Sequence, residues 1–288
     1  MEAAHLTSAV SIVVLTHDRR PELLRTLERM RETEPAAPVY VVDNCSSDDT
    51  AHAVRRHFPQ VTLIALPRNL GAAGRNHGTR AARSRYVAFC DDDTWWKKGS
   101  LARGAEILDR FPQVAAATAC VLVGPEERVD PTSIRMARSP LRNPLGLPGS
   151  VVAGLMAGAC IVRRDSFLRA GGYHPRLFLG AEESLLSLDL MAAGHVLAYL
   201  PELAVHHHPS SLRDARGRQQ LLLRNRLWCS WMRLPAAGAV LETVRLVWRG
   251  RERTRACAAA LAGLGWALRE RRVVPAEVWQ ALRRVQRE

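Results

Sequence analysis

The fold is decided by one stretch of the sequence, in which an apolar run ends in three acids: Tyr86-Val87-Ala88-Phe89-Cys90-Asp91-Asp92-Asp93. Carboxylates at the end of a buried strand lose hydration, and a cation or hydrogen-bond donors must offset this cost. In an open α/β sheet, ligands bind in the crevice outside the carboxyl ends of the strands. The stretch therefore predicts a strand that ends at a site for a divalent cation and a phosphorylated substrate.

Three further apolar runs precede this stretch, and helical patterns separate them. The runs cover residues 10–16, 39–42 and 61–66. Strands that alternate with helices at this spacing predict a mostly parallel, doubly wound sheet of the α/β class. Because the first two strands end at the same edge of this sheet, we expect Thr16 and Asp43 to lie side by side at the crevice.

Asp43 ends the second predicted strand and has two interpretations. Its carboxylate can accept hydrogen bonds from a nucleobase or a ribose in the crevice. Alternatively, it caps the turn at Ser46 and Ser47, as aspartate often does in turns. We favour the first interpretation because both strands end at the same edge.

Composition and pattern suggest how the chain is organised. It has 288 residues, of which 47% are hydrophobic and 24% charged, values that are typical of a folded α/β protein. We predict a catalytic domain at residues 1–210 and a basic helical region at residues 211–288. Within the catalytic domain, residues 1–98 form the nucleotide-binding half and residues 99–210 form the acceptor half.

Several features of the sequence bear on its location. The six cysteines are widely spaced and include no Cys-x-x-Cys pair, which indicates a reducing compartment. The sequence begins without a basic segment followed by an apolar one, and no run reaches the ~18 apolar residues of a spanning helix. We therefore expect a cytoplasmic protein with no membrane-spanning helix.

The positive charge is concentrated in the C-terminal region. From residue 210 onward the sequence contains 17 arginines and six acidic residues, so this region carries most of the net charge of +13. Residues 256–268 form an apolar stretch between arginines that is too short to span a bilayer. It has the composition of an interfacial helix on anionic lipid, but equally that of a buried helix with solvated arginines at its ends.

A strongly basic chain also raises the question of nucleic-acid binding. The sequence pI is about 10.6. However, the arginines lie on apparently amphipathic helices without interleaved aromatic stacking, and no zinc or helix-turn-helix signature is present. We therefore expect an anionic membrane surface, and no nucleic acid, as the partner of the basic region.

Several segments in order resemble the family 2 inverting glycosyltransferases of the GT-A fold, in particular the non-processive bacterial, rhamnosyltransferase-like type. The resemblance extends from about residue 10 to about residue 235, and it is carried by Thr16-His17-Asp18-Arg19, residues 41–50, Arg68-Asn69-Leu70-Gly71, Gly74-Arg75-Asn76 with Gly78, and Asp91-Asp92-Asp93. The resemblance implies a hexosyl- or deoxyhexosyltransferase in cell-surface polysaccharide or glycolipid synthesis. Its substrates would be a nucleotide-sugar donor and a glycan or lipid-linked acceptor.

The resemblance also implies which residues bind the donor. In the family pattern, Asp91 contacts the ribose and Asp93 holds Mg²⁺ or Mn²⁺ on the diphosphate. A hard cation with oxygen ligands suits this task, because it neutralises the charge on the leaving nucleoside diphosphate. The alternative for the triplet is a solvated acidic turn. The further donor-binding residues that we assign are Thr16, Asp18, Arg19, Asp43, Asn69, Gly71, Arg75, Asp92 and Arg224.

For the acceptor half, Gly180-Ala181-Glu182-Glu183 resembles the family's Glu-Asp type motif. An inverting transfer needs a carboxylate to remove the proton of the acceptor hydroxyl, and we choose Glu183 with Glu182 as the alternate. The simpler interpretation is that both acids lie in the first turn of a helix, where the helix dipole stabilises them. Leu185 and Asp189 stand where many relatives carry an aspartate and an arginine, which suggests a weak or inactive member as one alternative.

Two further segments have a family counterpart. His206 matches the histidine that completes the metal or diphosphate site in relatives. Because neighbouring residues of a strand point to opposite faces, only His206 and His208 of the three consecutive histidines can converge. Arg224 either clamps the diphosphate or lies on an amphipathic helix whose Trp228 packs inward.

Other functions remain open at this stage. A nucleotidyltransferase on a similar sheet also needs acids, a cation and a nucleotide crevice. A catalytically inactive scaffold at the membrane would share the fold. We favour a metal-dependent glycosyltransferase, located in the cytoplasm and peripherally bound at the inner face of the cell membrane.

Overall fold

The computed structural model describes residues 9–209, 215–247 and 252–286. Its strands are β1 (Val10–Thr16), β2 (Val39–Asp43), β3 (Thr62–Ala65), β4 (Tyr86–Asp91), β5 (Thr94–Trp96), β6 (Val114–Val123), β7 (Arg128–Val129), β8 (Ser150–Val152), β9 (Cys160–Arg163) and β10 (Val196–His207). Its helices are α1 (Arg20–Thr33), α2 (Thr50–His57), α3 (Arg75–Ala81), α4 (Ser100–Arg110), α5 (Pro131–Ala137), α6 (Arg164–Arg169), α7 (Glu182–Ala192), α8 (Ala215–Arg233), α9 (Ala236–Val247), α10 (Glu252–Arg269) and α11 (Ala276–Val285). The strands and the helices of the N-terminal half alternate, as the sequence predicts.

All the described strands belong to one sheet, in the order β3-β2-β1-β4-β9-β6-β10-β5, with β7 on β6 and β8 on β10. The four N-terminal strands pair in parallel, and β9 joins them antiparallel to β4. Strands β6 and β10 are parallel to each other, while β5 runs antiparallel to β10. The expected parallel arrangement is therefore found in the nucleotide-binding half, and the sheet becomes mixed beyond it.

The sheet is covered on both faces, because its strands alternate between two apolar layers. In β1, Ile12 and Val14 pack into one cluster with helices α1 and α4, whereas Val13 packs into the other with α6 and α7. Near-continuous apolar runs are typical of parallel strands that are buried on both sides. The α/β class predicted from the sequence follows from this pattern.

Strand register brings polar residues to one edge of the sheet. Thr16 pairs with Asp43 across β1 and β2, and Leu15 pairs with Asp91 across β1 and β4. The carboxyl ends of these strands therefore meet, and the side chains that follow them share one crevice.

The C-terminal helices pack against α7 of the sheet domain. Leu185 lies in an apolar cluster with Trp228 of α8 and Trp266 of α10. Asp189 of α7 forms an ion pair with Arg233 of α8, in which Arg233 Nη2 donates to Asp189 Oδ2 at 3.0 Å. The two positions that depart from the family pattern thus join the helical region to the sheet domain. The predicted domain boundary at 210 lies outside the described residues, so the division stays a prediction.

The apolar stretch at residues 256–268 belongs to α10, and one side of it is a packing surface. Ala256, Ala260, Trp266 and Ala267 are buried against α8 and its neighbours. In the ranges that the structure describes, no helix combines the length and the apolar character needed to cross a membrane.

Candidate active site

A cleft of about 680 Å³ opens at the carboxyl ends of β1 and β4. Its floor is formed by residues after these strands, and its opposite wall by α8 and α10. The polar and charged residues that line it are Thr16, His17, Arg19, Asn44, Asn69, Arg75, Asp91, Asp92, Asp93, Arg218, Gln220 and Arg224. Most of the donor-binding residues predicted from the sequence therefore surround one cavity.

Two arginines pair with the three acids of the triplet. Asp91 forms an ion pair with Arg75. Arg19 Nη1 donates to Asp92 Oδ1 at 3.1 Å and to Asp93 Oδ2 at 3.3 Å. The triplet is thus an organised set of ion pairs at the floor of the cleft, rather than a solvated acidic turn.

Asp92 is the middle acid and is buried. Thr16 Oγ1 donates to Asp92 Oδ2 at 3.1 Å, and Thr26 Oγ1 donates to the main-chain oxygen of Asp92 at 2.8 Å. Burial raises the pKa of Asp92 to about 7, repulsion from its two acidic neighbours adds to the shift, and the attraction of Arg19 opposes it. Asp92 therefore holds Thr16 and Arg19 in place below the cleft.

The structure brings His207, and not His206, to the acidic triplet. His207 Nε2 lies 3.5 Å from Asp93 Oδ1. The ring of His206 stacks on Trp95 with a centroid separation of 5.5 Å, and its Nδ1 lies 3.4 Å from Glu127. Strand alternation is the reason, because successive side chains of β10 point to opposite faces. His206 and His208 do lie on the same side, as expected, but there both rings pack against Trp95.

Two of the predicted donor residues brace a loop and are not among the described residues that line the cleft. Asp18 Oδ1 accepts a hydrogen bond from Ser47 N at 2.6 Å. Asp43 Oδ1 accepts one from Ser46 N at 2.9 Å. The contact of Asp43 is therefore the one expected of a residue that caps the turn at Ser46. Together, Asp18 and Asp43 stabilise the β2–α2 loop beside the cleft.

The glycine-rich loop before α3 is held by two asparagines. Asn69 Oδ1 accepts from Gly71 N at 2.8 Å, and Asn44 Nδ2 donates to Gly71 O at 3.0 Å. Gly71 has a φ of 59°, and a Cβ atom there would lie 2.0 Å from the main-chain oxygen of Phe178. A side chain is therefore excluded at this position. Asn44 was missed by the sequence reasoning, although it directly follows Asp43 at a strand end.

Arg75 is a buried cation that acts on both the acidic triplet and the glutamate pair. It is 4% exposed and pairs with Asp91, and its charge opposes the rise that burial causes in the pKa of Glu182 and of Glu183. Burial acts against the charged form of Arg75, but attraction to Asp91 and to the glutamates outweighs burial and leaves its pKa raised. The buried guanidinium therefore pairs directly with the triplet and acts on the glutamate pair through its charge.

The glutamate pair begins α7 after a strained loop. Phe178, Gly180 and Ala181 all have positive φ, at 61°, 90° and 65°. Burial raises the pKa of both Glu182 and Glu183, and the nearby charge of Arg75 opposes the shift. Glu182 Oε2 is buried without a hydrogen-bond partner among the described residues. Neither glutamate is among the described residues that line the cleft, but carboxyl groups with raised pKa values close to such a site are typical of groups that exchange protons.

The loop before the glutamates is held by Asn225 of α8. Its Nδ2 donates to the main-chain oxygens of Leu177 at 2.6 Å, Leu179 at 3.0 Å and Gly180 at 2.7 Å. Asn225 is fully buried. The helical region thus sets the backbone that presents the catalytic candidates, a role that the sequence alone did not reveal.

Replacing Asn225 with alanine should lower the free energy of unfolding by about 2 to 4 kcal/mol, because buried carbonyl oxygens lose their donor. Asn225→Asp should lower the free energy of unfolding further, since a negatively charged carboxylate would be repelled by the same three main-chain oxygens. Urea denaturation measures both changes. The matched control is Gln220→Ala on the same helix. Equal stability of Asn225→Ala and the control would contradict the bracing role.

The cationic wall of the cleft comes from α8. The Arg224 guanidinium lies 4.3 Å from the centroid of the Trp228 ring, and its Nε donates to Asn225 Oδ1 at 3.0 Å. Burial lowers the pKa of Arg224. Trp228 packs inward, as the amphipathic interpretation predicts, while Arg224 lines the cleft as the clamp interpretation requires. The contact of Arg224 with a diphosphate stays a prediction.

No group of three or more histidine, cysteine or acidic side chains in the described ranges is arranged to hold a metal ion. The pair nearest to such a site is Asp93 with His207. A cation here would need further ligands from its substrate or from water.

An α/β sheet with acids at its strand ends, facing a cationic helix across one cleft, is typical of an enzyme that acts on a nucleotide-bound substrate. The chain belongs to glycosyl transferase family 2, because residues 11–170, more than half of its length, match the family model of that description. The family predicted from the sequence is thereby confirmed, and with it the glycosyltransferase function.

The chain is similar to several known glycosyltransferases. It is 27% identical over 236 residues to the N-acetylglucosaminyl-diphospho-decaprenol L-rhamnosyltransferase of Mycobacterium tuberculosis, which covers 70% of this chain and 77% of the relative. It resembles the structure of the mannosyltransferase PcManGT from Pyrobaculum calidifontis in complex with GDP-Man and Mn²⁺, with a TM-score of 0.60, 19% identity, and coverage of 97% and 75%.

A second solved structure supports the same fold. GalNAc-T7, solved with UDP, GalNAc and Mn²⁺, matches with a TM-score of 0.64 at 15% identity, over 92% of this chain and 57% of that one. At such identities the likeness concerns the fold alone. The predicted GT-A fold is confirmed.

Proposed function

We propose that the protein is a metal-dependent, inverting glycosyltransferase that moves a sugar from a nucleotide-sugar to a hydroxyl of a lipid-linked glycan. The observation that carries this proposal is the cleft itself, where the acidic triplet faces the arginines of α8 and the buried Arg75 pairs with Asp91 at the floor. The names of the relatives support it, since the mycobacterial relative is a transferase of a diphospho-decaprenol substrate. The mannosyltransferase with a similar fold was solved with a nucleotide-sugar and Mn²⁺.

Mg²⁺ or Mn²⁺ would be held by Asp93 and His207. Carboxylate oxygen and imidazole nitrogen are both ligands that divalent metals accept in proteins, so this pair fits the cation. When bound, the cation neutralises the charge that builds on the diphosphate as it leaves. Arg218 and Arg224 face the same cleft and stabilise the leaving diphosphate from the opposite wall.

Glu183 acts as the general base. The oxygen of the acceptor hydroxyl forms a bond to C1 of the sugar as the bond from C1 to the diphosphate breaks, and Glu183 takes the proton. Arg75 pairs with Asp91, and its charge favours the ionised form of Glu183. Leu185 and Asp189 contact the C-terminal helices, so their departure from the family pattern does not remove a group from the cleft.

The enzyme is proposed to work in the cytoplasm, at the inner face of the cell membrane, where a lipid-linked acceptor resides. Its region of excess positive charge suits an anionic surface.

A thermal-shift screen tests the donor. We expect one of the UDP-, dTDP- or GDP-sugars to raise the melting temperature by about 5 °C at 100 times its Kd, because a ligand that binds only the folded state adds about 2.7 kcal/mol. The shift should require Mg²⁺ or Mn²⁺ and should disappear with EDTA. Arg218→Ala should reduce it, and exposed Arg110→Ala serves as the control. No shift with any nucleotide-sugar would contradict the proposed donor class.

A further inference from the structure

In helix α9, three large apolar side chains are exposed, whereas the acidic side chain of Glu242 is buried. Val240, Leu241 and Val244 are 49%, 45% and 46% exposed, whereas Glu242 is 7% exposed. Residues at this spacing share one side of a helix, so the three form a continuous apolar stripe. A helix that faced only water would present the opposite arrangement.

Specific contacts fix this orientation. Arg245 Nη1 donates to Glu242 Oε1 at 2.9 Å, and Arg226 Nη2 lies 3.7 Å from Glu242 Oε2. Trp231 Nε1 of α8 donates to Thr243 Oγ1 at 3.1 Å. Rotation of α9 to bury the stripe would break these contacts, so the stripe is a stable surface of the fold.

The stripe borders a cationic cavity. Where α9 meets α11, a cavity of about 160 Å³ is lined by Leu241, Arg245, Trp279, Arg283 and Gln286. Trp279 packs closely on α9, since a Cβ atom at Gly238 would lie 2.9 Å from its ring. Two guanidinium groups beside a tryptophan suit a lipid phosphate at the level of the headgroups.

We propose that the α9–α11 surface docks onto a bilayer of anionic phospholipid. The apolar stripe enters the boundary between headgroups and acyl chains, and Arg245, Arg283 and Arg284 contact lipid phosphates. Arginines near an anionic surface strengthen binding, and three of them would account for on the order of a 100-fold gain. The proposal rests on the proposed function only in that a lipid-linked acceptor brings the enzyme to such a membrane.

Other occupants fit this surface less well. A second copy of the chain would bring two arginine rims against each other, and like charges oppose association. Nucleic acid would pair with the arginines but would leave the apolar stripe without a partner. The surface also differs from the 256–268 stretch of α10, whose Ala256, Ala260, Trp266 and Ala267 pack inside the protein, although Leu261 and Leu268 are exposed.

Flotation of the full-length protein with vesicles tests the proposal. The wild type should float with vesicles of phosphatidylglycerol and phosphatidylcholine, and bind pure phosphatidylcholine at least about tenfold more weakly. The variant Val240→Gln/Leu241→Gln/Val244→Gln should bind anionic vesicles at least about tenfold more weakly than the wild type. So should the independent charge variant Arg283→Glu/Arg284→Glu, which leaves the stripe intact.

The matched controls carry the same types of substitution outside the α9–α11 surface. Arg55→Glu/Arg56→Glu reverses two exposed arginines in the last turn of α2, and Leu261→Gln changes the strongly exposed leucine of α10. Both should float like the wild type. Absence of wild-type flotation, or equal loss in controls and test variants, would overturn the proposal. Loss of a dimer in the stripe variant, seen by sedimentation, would instead assign the surface to a second copy.

Donor hydrolysis in solution separates this proposal from the proposed function. The stripe and charge variants should hydrolyse a nucleotide-sugar at the wild-type rate, because their changes lie outside the cleft. If the protein floats as described but turns over no nucleotide-sugar, the proposed function fails and the docking surface stands.

Discussion

Replacing Asp93 with asparagine should lower the rate of sugar transfer about 1000-fold or more while the protein stays folded. Asp93 accepts a hydrogen bond from Arg19 and lies 3.5 Å from His207, so the change removes the charged ligand of the proposed cation. A factor of 1000 corresponds to the loss of about 4 kcal/mol of transition-state stabilisation, which is typical for a catalytic cation. Initial rates at saturating donor, measured while Mn²⁺ is varied, give both the activity and the metal dependence.

The two neighbouring histidines provide a matched control for this site. His207→Ala should weaken the affinity for Mn²⁺ by at least about tenfold, because it removes the second proposed ligand. His206→Ala should leave that affinity unchanged, since His206 stacks on Trp95 away from the triplet. Identical Mn²⁺ titrations of the two variants would reject the choice of His207. Full activity of Asp93→Asn would reject the cation site itself.

Glu183→Gln should lower kcat by roughly 100- to 10,000-fold with little change in donor affinity. The amide keeps the shape of the side chain but cannot take the proton of the acceptor hydroxyl, and general-base catalysis typically contributes a factor of this size. Transfer rates at saturating acceptor, combined with donor titration by thermal shift, separate the chemical step from binding.

The pH dependence gives a second measure of the same group. Burial raises the pKa of Glu183, and the charge of Arg75 only partly opposes this. Because the base works only when deprotonated, kcat/KM should fall tenfold per pH unit below that raised pKa, so the acid limb lies closer to neutrality than for an exposed glutamate. Glu182→Gln should keep the acid limb and lose less activity. The reverse result would assign the base to Glu182.

Much of the fold and part of the site followed from local patterns. Apolar runs alternating with helical stretches predicted the sheet, and the acids after the run 86–90 predicted its ligand edge. Thr16 and Asp43 do pair in register at that edge. These features can be predicted because strand ends and residue periodicity depend on residues that are close together in the sequence. The order of the glycosyltransferase segments then identified the family.

The direction of individual side chains was not predictable in this way. The alternation of β10 correctly separated His207 from its neighbours, but only pairing with β5 decided which face meets Asp93. Similarly, Asp18 and Asp43 were assigned to the donor, whereas their carboxylates contact the loop that carries Ser46 and Ser47. The residue pattern of a strand predicts which side chains share a face, whereas packing against other strands determines which residues each face contacts.

The sequence by itself therefore determined the α/β class, the ligand edge of the sheet and the family of this protein. Only the tertiary structure showed that the buried Arg75 pairs with Asp91, that Asn225 holds the loop before the glutamates, and that α9 turns its apolar side outward. These are contacts between residues far apart in the chain. Their energies depend on burial and on exact partners, which a linear pattern of residue types does not contain.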